Sequence, residues 1–80
     1  MIEAYGKFIV FESEEEKPTC GIVLSIGEDV KGISIEDTIY MMDYATFPMN
    51  NKKIFSVNRE HILAIKKSNK YPNIDTTLLQ

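Results

Sequence analysis

Gly21-Ile22-Val23-Leu24-Ser25-Ile26-Gly27 is the stretch that decides the fold. It is bounded by two glycines, contains no proline, and is rich in residues that favour extended backbone. In a strand, Ile22, Leu24 and Ile26 would point one way and Val23 and Ser25 the other. A glycine at each end tolerates the backbone angles needed to enter and leave such a strand. The rest of the chain reads as shorter β-segments that can wrap on this one.

Upstream, Tyr5 to Phe11 reads as the first strand, because Phe8, Ile9, Val10 and Phe11 all favour extended backbone. Both of its faces are apolar, which predicts cover on both sides. In so small a protein the second cover is expected from another subunit. Between these strands, Glu12-Ser13-Glu14-Glu15-Glu16 sets four carboxylates in five residues ahead of Lys17-Pro18-Thr19. Like charges repel and proline cannot donate to a ladder, so Glu12 to Cys20 reads as a solvated loop. Carboxylates suit calcium or magnesium, but the run lacks the spaced oxygen ligands and turn glycine of an EF-hand loop.

Downstream, Glu28 to Gly32 is a polar connection and Ile33-Ser34-Ile35 alternates briefly. Glu36-Asp37 reads as a turn and Thr38 to Met42 as a strand. Asp43 to Thr46 is a loop. Phe47-Pro48-Met49 is apolar but interrupted, so it belongs at a sheet edge or a bulge. Asn50 to Lys53 signals a turn, and Ile54 to Val57 pairs back as a hairpin. Asn58-Arg59-Glu60 turns the chain again before His61 to Lys66, whose β-branched residues favour strand over helix. Residues 1–67 therefore form one all-β domain, a small, partly irregular barrel or sandwich, and 68–80 a C-terminal tail holding Pro72 and Leu78-Leu79.

Eighty residues make one small domain that buries only about 60% of its unfolded surface. Oligomerisation is a common remedy for so thin a core. The net charge of −3 argues against a nonspecific nucleic-acid binder. Lys52, Lys53 and Phe55, with Lys66, Lys67, Lys70 and Tyr71, come closest to interleaved bases and aromatics, but solubilising lysines are the preferred reading. One cysteine, Cys20, forms no internal disulfide, and with His61 the single histidine a zinc site is not expected. Met1 to Tyr5 lacks the basic start and apolar run of a signal peptide, and no apolar run reaches bilayer length. A cytoplasmic protein without membrane contact is expected.

No Rossmann or P-loop glycine spacing is present. A nucleophile–base pair would have to join Cys20 or a serine to His61, and carboxylates in an exposed loop do not acquire the shifted pKa values that acid–base work needs. The expectation is a protein with no catalytic residues, no metal and no cofactor.

Taken in order, these pieces resemble the GroES-type co-chaperonin family. Its glycine-x-valine-x-alanine/serine-valine-glycine strand is matched by Gly21 to Gly27. Its valine-lysine-valine-glycine-aspartate-x-valine turn is matched by Ile33-Ser34-Ile35-Glu36-Asp37-Thr38-Ile39, with Glu36 at the glycine position. Asp43-Tyr44-Ala45 is similar to its tyrosine context, and Asn58 to Ile65 to its acidic turn and isoleucine-leucine-alanine end. The likeness covers Tyr5 to Lys66.

The resemblance implies a GroES-like β-barrel in a homo-oligomeric ring of about seven subunits, closed by symmetry. It places the first strand of one subunit against the last strand of its neighbour, here Phe8, Ile9, Val10 and Phe11 against Ile62, Leu63, Ala64 and Ile65. It also implies a chaperonin partner, capped during protein folding. The family's mobile loop carries a glycine-isoleucine-x-leucine docking tripeptide, which Ile22, Val23 and Leu24 would supply if they were not strand. The alternative is a small, non-catalytic protein-interaction module, accessory or inhibitory and such as a virus encodes, that keeps only the barrel. Its contacts would lie on edge strands or on Tyr71 to Gln80.

Overall fold

The computed structural model describes residues 2–49 and 53–68. Among them lie six strands and no α-helix: β1 (Phe8–Glu12), β2 (Cys20–Ile26), β3 (Thr38–Met41), β4 (Thr46–Pro48), β5 (Ile54–Asn58) and β6 (Ile62–Lys66). Single 3-10 turns at Asp43–Ala45 and Arg59–His61 lead into β4 and β6. Every pairing is antiparallel, in the order β4-β5-β1-β2-β3-β6. The all-β class is as expected, but among the described residues β4 and β6 are unpaired on their outer edges, so the sheet is open rather than a closed barrel. It is nonetheless curled. β5 and β3 would lie ~14 Å apart in a flat sheet, yet Phe55 and Val57 share one apolar cluster with Ile39 and Met41.

β1 runs through the middle, with β5 along one edge and β2 along the other. Ile9 and Phe11 are fully buried in the core, and Phe11 stacks on its cross-strand partner Phe55 with ring centroids 5.7 Å apart. Val10 faces the opposite way and is still only 3% exposed. The chain itself supplies that cover: the Ala4 amide donates to Ser25 Oγ at 3.0 Å, and Ser25 is the partner of Val10. The segment before β1 thus crosses the outer face, and no second subunit is needed to bury this strand.

The central stretch is a strand, but its alternation is broken. Val10 pairs with Ser25 and Phe11 with Val23, which leaves Leu24 as the extra residue of a bulge. Val23 and Ile26 therefore both meet the core, while Ile22 lies 41% exposed on the outside. The bounding glycines also act differently from expectation. Neither has a positive φ. A Cβ on Gly21 would run into the Phe11 ring, and one on Gly27 into the backbone of Gly6. Space, not backbone angle, requires them.

Ile33-Ser34-Ile35 is not a strand. Ile33 is buried, and Asp37 N–H donates to the Ser34 carbonyl to close a turn. Within that turn Glu36 has φ 78°, the left-handed value among the described non-glycine residues. The β4–β5 hairpin forms as read, with Pro48 on an edge strand where its missing donor costs no ladder bond.

Gly27→Ala should lower stability by about 1–3 kcal/mol or more, because the obstacle is backbone that cannot rotate aside. In Glu36→Gly the backbone should favour the variant by up to about 1 kcal/mol, since glycine adopts the left-handed region freely, and any net loss of stability measures what the Glu36 side chain contributes. Urea unfolding of both variants checks the pair; a Gly27→Ala protein as stable as its parent would contradict the packing argument.

Candidate interaction surface

Three regions stand out: the acidic loop, the outer face of β2–β3–β6 with its free edge, and a buried carboxylate at the end of that edge. The acidic loop is anchored at both shoulders. Ser13 is buried, its amide donates to the Lys53 carbonyl at 2.9 Å, and Pro18 is packed inside. Within it, Thr19 N–H donates to Glu15 Oε1 at 2.9 Å and Glu15 N–H to Ser13 Oγ at 3.2 Å. The Lys53–Glu14 ion pair, 3.2 Å long, is exposed on both sides and adds little. Open grooves flank the loop, one floored by Cys20, Gly21 and Ile22, another by Pro48 and Phe55. Among the described residues, no three His, Cys, Asp or Glu side chains gather as a metal site.

The outer face of β2–β3–β6 is apolar and uncovered. Register places Cys20 beside Tyr40, Tyr40 beside Ala64, and Ile22 beside Thr38. Tyr40 of β3 and Met42, the residue just after the strand, are 38% and 47% exposed. A second bulge, between Tyr40 and Met41 in the β3–β6 ladder, leaves Leu63 as the extra residue, 67% exposed. Beyond it, the outer edge of β6 has no strand partner among the described residues. Unpaired edge amides and carbonyls beside exposed apolar side chains are what another chain can pair with.

Asp37 lies where that edge ends. Its side chain is 1% exposed. It accepts from Ser34 N–H at 2.8 Å, Lys67 Nζ at 2.7 Å and Ser68 N–H at 3.0 Å. Burial opposes ionisation, but the Lys67 ammonium and the two amides outweigh it and hold the carboxyl below the usual aspartate value. Glu28 is also lowered, by its own amide and that of Gly6, in a fully exposed turn.

The sequence-derived site residues divide accordingly. Ile9, Val10 and Phe11 are buried within one subunit and β1 has both edges filled, so Phe8 to Phe11 cannot pair with a neighbour as the resemblance implied. Ile62, Leu63, Ala64 and Ile65 do form an edge strand. Ile22, Val23 and Leu24 lie in β2, with Val23 fully buried, so they are not a docking loop. Phe55 is in the core, unable to stack on a base. Cys20 opens β2, and His61 is exposed 3.7 Å from Glu60. Tyr71 to Gln80 lies outside the described residues. No helix among the described residues is long and apolar enough to cross a membrane. Asp37 and the Tyr40–Met42 face were not legible as special: an aspartate in a turn looks solvated until the fold closes over it.

In comparison with known proteins, the chain matches no family model and no curated sequence.

Because the folded state holds Asp37 below its unfolded pKa, its contribution is present at neutral pH. It is lost as pH falls below about 4 through the folded value. Asp37→Asn should cost about 1–3 kcal/mol at pH 7. Acidification from about pH 5 to about pH 3 should lower the urea midpoint more in the parent than in Asp37→Asn. Equal acid sensitivity in both would assign the effect to other carboxylates.

Proposed function

We propose that this chain is a non-catalytic, co-chaperonin-like subunit that assembles with copies of itself and acts by contact with a chaperonin or another protein. The observation that carries the reading is β6. The isoleucine-leucine-alanine end assigned to subunit contact is a strand that, among the described residues, has one edge unpaired and Leu63 projecting from it. The left-handed backbone at Glu36 adds support, since the resemblance puts a glycine at that position. With β1 filled on both sides, the partner of β6 in a neighbouring copy is a segment other than β1. The mechanism is steric, a cap whose affinity sums several weak contacts over the ring. It needs no cofactor, metal, nucleic acid or membrane, and a cytoplasmic setting suits it.

The acidic loop favours a second reading. It is short, anchored and without an exposed apolar tripeptide. That is the form of a module that keeps the fold and has lost the family's docking loop.

Light scattering across a concentration series should give one discrete oligomer. Leu63→Lys should shift it toward monomer while circular dichroism stays unchanged, because the side chain is exposed. A clean monomer at high concentration overturns assembly and leaves the interaction module. An oligomer that never co-sediments with a chaperonin plus ATP retains the ring and removes the capping role.

A further inference from the structure

The β3–β6 ladder ends at the pair Thr38 and Lys66. Past that rung the two strands should separate, yet the structure ties them once more. The Asp37 carboxylate takes the place of the next rung, binding Ser68 N–H through Oδ1 at 3.0 Å and Lys67 Nζ through Oδ2 at 2.7 Å. The same Oδ2 accepts Ser34 N–H at 2.8 Å, which orients the carboxylate from its own turn. Lys67 Nζ also reaches the Gly32 carbonyl at 3.4 Å. A buried charge with three donors is held far more strongly than the exposed ion pairs elsewhere on this surface.

We propose that Asp37 is a latch, a positioning residue that docks the end of β6, through Lys67 and Ser68, onto the turn before β3, by a local equilibrium separate from global unfolding. β6 is suited to local opening. Among the described residues it is paired on one side only, and Ile62 and Ile65 are merely half-buried, whereas β1 is paired on both sides and packed in the core. The charged surroundings are simple. Lys67 touches the carboxylate, Glu36 precedes it on the same turn, and Lys66, opposite Thr38, shares the outer face. β2 approaches with backbone, Val23 N–H donating to the Asp37 carbonyl at 2.9 Å. The lowered pKa of Asp37 accords with a latch closed at neutral pH. The device belongs to a single subunit and stands whether or not subunits assemble.

Native-state hydrogen exchange on the full chain tests it. In Asp37→Asn, the amides of Ala64, Lys66 and Ser68 should exchange about tenfold faster or more, with smaller changes at Ile9 and Val57. Lys67→Met removes a side chain that is 60% exposed and leaves the core intact. It should accelerate the same amides by less, and Lys67→Arg should restore them. Equal acceleration of β1 and β6 would make Asp37 a general support and overturn the latch. So would unchanged β6 exchange in Lys67→Met, which decides the matter if Asp37→Asn fails to fold. Light scattering on the same samples separates latch from assembly. Faster β6 exchange at constant mass supports the latch, and faster exchange only as mass falls assigns protection to a subunit contact and overturns it.

Discussion

Phe11 occupies the space that a side chain at residue 21 would need, and the sheet is arranged around that contact. The ring stacks on Phe55 of β5 and lies over Gly21 of β2, so one side chain joins three adjacent strands. A second close approach, backbone of Gly6 against Gly27, fixes where the chain enters β1 relative to where it leaves β2. The Asp29 amide donates to the Gly6 carbonyl and the Gly6 amide to Glu28, which holds that crossing in place. Removing space at either glycine would push apart strands that have no other layer to pack against.

With no helix among the described residues to cover it, the sheet must bury its inner face on itself. Curling does this, and it has two consequences for function. The outer face stays exposed, and where β2, β3 and β6 meet it is apolar, through Ile22, Tyr40, Met42 and Leu63. Curling also stops short of closure, so among the described residues β4 and β6 keep open edges. Proline limits what β4 can offer, whereas β6 carries none. A thin core and an open edge are both remedied by association with another chain, the physical ground for reading this protein as a subunit.

Charge is placed to opposite effect at two points. In the acidic loop the carboxylates face water, and the backbone beneath them is secured by Ser13, Thr19 and Pro18. At Asp37 a single carboxylate is enclosed and fully engaged, joining the turn before β3 to the end of β6. Four exposed carboxylates shape one surface; one buried carboxylate determines how an edge strand terminates.

Local patterning was enough to make the class and most elements legible. Cys20–Ile26, Ile54–Asn58 and Ile62–Lys66 are strands because β-branched residues between turn-forming ones leave the backbone little else to do. Pro48 marked an edge for the same local reason. Misreadings arose where a distant residue decided. The bulge at Leu24 reverses the facing of Ile26, and no periodicity within β2 foretells a register set by β1. Apolar residues on both faces of β1 pointed to a neighbouring subunit, but Val10 is covered by the chain's own leading segment. Glycine spacing showed in the sequence, while its cause, the proximity of Phe11 and Gly6, did not. Asp37 became distinctive only when residues thirty positions away folded against it. Sequence alone determined the strands, because extended backbone follows from neighbouring side chains. Tertiary structure alone decided which faces, edges and charges are available for function, because exposure is a property of what the rest of the chain covers.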